Sequence, residues 1–290
     1  MERISVSTII IESWHLARAS WKFFLYGVLL ALPSAVIITF LETQPALSET
    51  ELTTLVTNHP GYFGLFLLAY LCSVFIGKSH LILLFQEHTK KNFRERSLFP
   101  KFLLTPFMKA FRIDLVFLIF ALLILTLLAL PAVAATLLGS SDLSSLLFLS
   151  KFTLLPIIAI GYFIREFTYL YFLLSPLTFR SSLEASSNLF FRQKSVCLSF
   201  GLAFLLLILL FTFSFNFVML SIVALLKQMP LLPMMASFFL CILIILSWYE
   251  AWRQALWFRF FHSIARPKDP TPEGVLPVAL EKEVPEMPTV

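Results

Sequence analysis

Glycine, cysteine and charge are all scarce in this chain, and each shortage removes a class of function. Eight glycines in 290 residues are too few and too scattered to build a phosphate-cradling loop. No Gly-x-x-x-Gly motif offers close helix pairing in a membrane. The three cysteines, Cys72, Cys197 and Cys241, lie in or beside apolar runs and read as small core residues, not disulfide partners or ligands. The five histidines, His15, His59, His80, His88 and His262, are spread out. His80 and His88 share a rough helix face, but no acid or third ligand stands at metal-site spacing beside them. Neither a His-Glu-x-x-His nor a Gly-x-Ser-x-Gly pattern occurs, so the chain is expected to be non-enzymatic and free of cofactors and metals.

Charged residues make up only 13% of the chain, and hydrophobic ones 59%, where a soluble domain holds about a quarter charged. The excess must face lipid. Thirty-three phenylalanines fit bulky lipid-facing helices. The net charge of +5 is best explained by membrane topology: nothing resembles a basic groove interleaved with stacking aromatics, so no nucleic-acid partner is expected. Apolar runs long enough to cross a bilayer, about 20 residues each, fall near 23–41, 62–86, 113–137, 146–174, 197–226 and 231–258. Six spans are predicted. Residues 1–22 alternate apolar and polar without a signal-type cleavage site, so the first span is expected to stay in the mature protein.

Orientation follows from the connections. Arg3, Arg18 and Lys22 precede the first span; Lys90, Lys91, Arg94, Arg96, Lys101, Lys109 and Arg112 join the second to the third; Arg180, Arg192 and Lys194 join the fourth to the fifth. The 42–61 loop instead carries Glu42, Glu49 and Glu51 with no basic residue. Basic residues resist translocation, which puts both termini in the cytoplasm. Lys90, Lys91, Arg94 and Arg96 also form a candidate membrane-surface segment, since such clusters favour anionic lipid.

A stretch resembling a surface helix precedes each odd-numbered span. In 9–24, Ile10, Trp14, Ala17 and Trp21 oppose Glu12, His15, Arg18 and Lys22; in 99–113, Phe102, Phe107 and Phe111 oppose Lys101, Lys109 and Arg112; in 179–196, Leu183, Leu189, Phe190 and Phe191 oppose Arg180, Glu184, Arg192 and Lys194. A basic amphipathic helix with aromatic residues lies in the interface plane; packing across the cytoplasmic end of the bundle is the plainer alternative. The unit of interfacial helix, span, outer turn and span then repeats three times. Pro33 and Pro131 fall late in the first and third spans, as expected of kinks, and Pro156 to Gly161 has the makings of a helix break. Ser48 to Glu51 reads as a capping box in the outer loop. Residues 1–262 form the membrane domain, and 263–290, rich in proline and glutamate, a disordered cytoplasmic tail that offers a docking segment for a protein partner.

Three cations sit inside apolar runs: Lys78, Arg165 and Arg253, spaced 87 and 88 residues apart and each followed seven residues later by phenylalanine (Phe85, Phe172, Phe260). Each lies roughly 12 Å along a helix from the cytoplasmic end of its run. Charge at that depth is expensive and marks functional sites. Around a pseudo-threefold axis the three would make a ring suited to an anion or a lipid phosphate. Snorkelling to the interface is the competing explanation, and local pairing is another, since Glu250 shares a helix face with Arg253. Glu166, adjacent to Arg165, is expected to need a partner elsewhere. Polar residues in the middle thirds of the spans are few, Thr126, Ser199, Thr212, Ser214 and Asn216, which argues against an aqueous pathway.

Ile11-Glu-Ser-Trp14-His-Leu-Ala-Arg18-Ala-Ser-Trp21 before the first span, and Leu183-Glu-Ala-Ser186-Ser-Asn-Leu189 before the fifth, resemble the lead-in motifs of a group of bacterial six-span membrane proteins. That group includes the membrane domain fused to some glycerophosphodiester phosphodiesterases. The resemblance implies an inner-membrane domain without catalytic residues of its own, since the phosphodiesterase activity of the fused members resides in a separate soluble barrel that nothing here matches. The expectation is therefore an all-α polytopic bundle acting as an envelope scaffold or lipid-binding domain, with membrane lipids as partners. A transporter or flippase for a lipid or small amphiphile, and a subunit needing a protein partner, are the alternatives.

Overall fold

A computed structural model describes residues 5–43, 60–89, 104–138, 143–226 and 230–265. Regular structure among them is entirely helical: α1 (Val6–Arg18), α2 (Trp21–Thr43), α3 (Pro60–Thr89), α4 (Leu104–Leu138), α5 (Leu143–Leu174), α6 (Phe179–Arg192), α7 (Lys194–Leu226) and α8 (Leu231–Ala265). Every predicted span falls on one of the six long helices. Four segments within the described residues are long and apolar enough to cross a membrane: Trp21–Thr39, Pro156–Leu174, Lys194–Leu225 and Pro233–Ala265. The chain is accordingly a helical membrane protein.

Local chemistry sets the boundaries. Pro60 opens α3, at the first-turn position where its missing N–H costs nothing. Ser175-Pro176 stops α5, because the residue before proline is pushed out of the helical region. Thr178 then caps α6, its hydroxyl accepting the backbone N–H of Ser181. Lys109 donates to the Phe172 carbonyl at 2.8 Å, satisfying an orphan acceptor in the last turn of α5 with a cation. Helices α2 and α5 continue through Pro33 and Pro156, so the break foreseen at 156–161 does not form. Position 131 likewise lies within α4.

α2 packs most extensively on α8 and next on α3, while α4 pairs with α5. Two close approaches join these elements. A Cβ on Gly27 would meet the Ser247 carbonyl oxygen at 2.3 Å, and one on Gly77 would meet Leu30 at 2.9 Å, so α2 reaches both neighbours through single glycines. The predicted hairpin of the last two spans is loose: α7 touches α8 sparingly and turns leucine and phenylalanine outward along Leu202, Leu206, Leu210, Phe213 and Phe217. Asn216 is exposed on that helix too. The main core is aromatic. Trp257, 2% exposed, meets the rings of Tyr162, Phe163, Phe167, Phe200, Phe204 and Phe260.

Of the three predicted surface helices, α1 and α6 are separate and the third is not. Residues 104–113 continue without a break into the rest of α4. The buried face of α1 is Ile9, Ser13, Leu16 and Ala17, rotated from the expected one, and Ile11, Trp14 and Trp21 point outward. Packing and exposure therefore coexist: α1 lies against α8, with Trp14 edge-on to Trp252. Ser13 of α1 and Ser186 of α6, matched by the lead-in motifs, are both fully buried and donate to the carbonyl four residues back. Helix α8 runs three residues past the expected domain boundary. The capping box at 48–51, Lys90, Lys91, Arg94 and Arg96, and the tail from 266 lie outside the described residues.

Candidate functional site

The expected cations are met by carboxylates. On α5, Arg165, Glu166 and Tyr169 lie within about one turn and face α3 and α4. Lys78, from α3, donates to both Glu166 oxygens at 2.8 Å and sits 3.7 Å above the Tyr169 ring. Arg165 reaches the other way. Its Nε donates to Asp114 Oδ1 of α4 at 2.7 Å, its Nη2 lies 2.5 Å from the same oxygen, and its Nη1 donates to Glu166 Oε1 at 3.1 Å. The Tyr169 hydroxyl donates to Asp114 Oδ2. One continuous network, Lys78–Glu166–Arg165–Asp114–Tyr169, thus ties α3, α4 and α5 together.

Glu166 finds the long-range partner it was expected to need, and Arg165 also bends back to it although the two are adjacent. Arg253 is held by Glu250 on its own helix, at 2.6 and 3.0 Å. Lys78 and Arg165 are therefore brought together through an acid, while Arg253 pairs locally. No cation of the predicted trio stands without a carboxylate. Two members of the network, Asp114 and Tyr169, carried no signal strong enough to single them out, although Asp114 is the lone acid of the 113–137 run. An acid inside an apolar run invites the same question as a cation there.

The pairing is deep. Lys78 and Glu166 side chains are 6% and 4% exposed, whereas Arg165 and Asp114 keep 27% and 16%. What they keep faces a cavity. Between α3, α4 and α5 lies a space of about 600 Å³, walled by Leu71, Phe75, Leu118, Ala121, Ile158 and their neighbours, with Asp114 and Arg165 as its charged residues. Gly161 helps create it, since a Cβ placed there would meet nothing within 4 Å. The volume is within the range of small-molecule sites, about 300–1,000 Å³, which combine apolar walls with a few polar groups. Leu118 and Ile158 are exposed, so the cavity opens sideways on the apolar surface.

Among the described residues no group of His, Cys, Asp or Glu is placed to hold a metal ion. His80 bonds the Ile76 carbonyl and stacks on Tyr26, and Cys197 and Cys241 are free thiols. No protein-family model, curated protein or solved structure matches the chain.

Proposed function

We propose that this protein is a non-enzymatic integral membrane protein that binds a single lipid-like amphiphile between α3, α4 and α5. The observation that carries this reading is the sideways-opening apolar cavity with an ion pair at one end. A hydrocarbon chain would lie along Leu118, Ala121 and Ile158, and a head group would sit at Asp114 and Arg165. Arg165 serves as the head-group contact foreseen in the sequence; Lys78 supports it from behind through Glu166, and Arg253 belongs to a separate pair. The cavity follows α4 from Asp114 to Ile124, roughly 15 Å of helix rise, about half of a hydrocarbon core of about 30 Å. That depth favours a seat within one leaflet over a path across both, which is why binding is preferred to transport. We place the protein in a bacterial inner membrane with both termini cytoplasmic, following the basic connections and the resemblance of its lead-in motifs.

Gly161→Phe tests the reading, since the added ring would fill the space that the glycine leaves open. Native mass spectrometry of the detergent-purified protein should show a lipid retained by the wild type. The variant should lose it at unchanged helicity. Equal retention by both would locate bound lipid elsewhere and remove the cavity as the seat.

A further inference from the structure

The charges around the cavity select the head group, and the expected anionic lipid does not fit them. Lys78 and Arg165 stand against Glu166 and Asp114, so the network is neutral as built. An added anion would enter a poorly solvated site with no countercharge left over, and burying an uncompensated charge is costly. It would otherwise have to pull Asp114 away from Arg165 and Tyr169.

Hydrogen-bonding capacity points the same way. A guanidinium has five N–H donors; Arg165 spends one at Nε on Asp114 and one at Nη1 on Glu166, and its Nη2 lies 2.5 Å from Asp114 Oδ1 in the ion pair. At least two remain. Asp114 accepts from Arg165 Nε at Oδ1, with Nη2 beside the same oxygen, and from Tyr169 at Oδ2, so a carboxylate with about four lone-pair sites keeps at least one in reserve. Both groups line the cavity. The wall thus presents spare donors on a cation beside a spare acceptor on an anion, the complement of a group carrying both signs.

We infer that the cavity takes a zwitterionic phospholipid, its phosphate toward Arg165 and its ammonium toward Asp114, in preference to an anionic one. This rests on the proposed amphiphile seat and adds the head-group class. The ligand brings its own compensation, so the site stays neutral when filled, and the two dipoles lie antiparallel.

The full-length protein, purified in detergent, is offered equimolar phosphatidylethanolamine and phosphatidylglycerol, and retained lipid is read by native mass spectrometry. The wild type should favour phosphatidylethanolamine by about tenfold. Asp114→Asn gives the site a net positive charge and should turn the preference toward phosphatidylglycerol. Arg165→Gln, with the opposite sign, should not. Gly161→Phe should abolish retention of both lipids, and Ala121→Phe, from the facing wall, asks the same question should the first variant not fold. A wild type that favours phosphatidylglycerol, or an Asp114→Asn variant with unchanged preference, would overturn the zwitterion assignment while leaving the seat intact. Retention unaffected by either cavity-filling variant would overturn the seat itself.

Discussion

Glu166 is ion-paired to two cations and Lys78 to a single acid among the described residues, and this asymmetry decides what each contributes. Removing the lysine leaves Glu166 bonded to Arg165. Removing the acid leaves Lys78, 4% exposed, over the Tyr169 ring with no carboxylate bonded to it among the described residues. Stranding one partner of a buried pair costs about 3–5 kcal/mol, whereas losing a charged hydrogen bond whose acceptor keeps another donor costs about 1.5–3 kcal/mol. Glu166→Gln should therefore destabilise the detergent-solubilised protein more than Lys78→Met, and the double variant should cost less than the sum. Denaturant unfolding of all three measures this, and equal single losses would contradict the asymmetry. The cations were legible in the sequence because Lys and Arg stand out in apolar runs. Their partners were less so. Asp114 sits two residues from Arg112 at the margin of its run and looks like part of the connection until α5 brings Arg165 against it.

At the scale of elements, helix positions were easy to read and helix relations were not. Long apolar runs announce themselves. Pro156 and Gly161 suggested a broken helix, but α5 passes through both, and the missing side chain at Gly161 creates space instead of a bend. No Gly-x-x-x-Gly motif marked a close pairing of helices, yet α2 approaches α8 and α3 through the single glycines Gly27 and Gly77. Periodicity shows that a face is apolar; it cannot show which backbone will come within a carbon's width of it. Gly27→Ala puts a methyl against the Ser247 carbonyl oxygen, a clash that must be relieved by moving backbone. Overpacking of this kind costs about 1–3 kcal/mol, seen as a lower thermal midpoint. Gly161→Ala, with nothing to strike, should leave the midpoint unchanged or raise it.

Across the whole molecule, the number of crossings is what the basic connections speak to most directly. If α2, α3, α4, α5, α7 and α8 all cross, position 94 faces the cytoplasm while positions 49 and 230 face out. If only α2, α5, α7 and α8 cross, positions 49 and 94 share the outer side. In a cysteine-free background, Glu49→Cys and Pro230→Cys should react with an impermeant maleimide on intact cells, and Arg94→Cys only after permeabilisation. Labelling of Arg94→Cys from outside would establish the smaller count. The threefold repeat expected from the 87- and 88-residue spacings is not reflected in how the cations pair, because Arg253 bonds within its helix while Lys78 and Arg165 share an acid.

The separation in sequence between Lys78 and Glu166 has a consequence for how the protein is made. The two residues are 88 positions apart, and chains are synthesised at about 5–20 residues per second. For roughly 4 to 18 seconds, therefore, α3 exists on the ribosome with its ammonium and without Glu166 to meet it. Asp114 waits in turn for Arg165. If α3 and α4 cross the membrane, they must be kept somewhere that tolerates a naked charge, beside the insertion machinery or with the lysine stretched to the membrane surface, until α5 arrives to close both pairs at once. Biogenesis then converges on one helix, and a ribosome halted before residue 165 would leave behind two helices that the bilayer has little reason to keep.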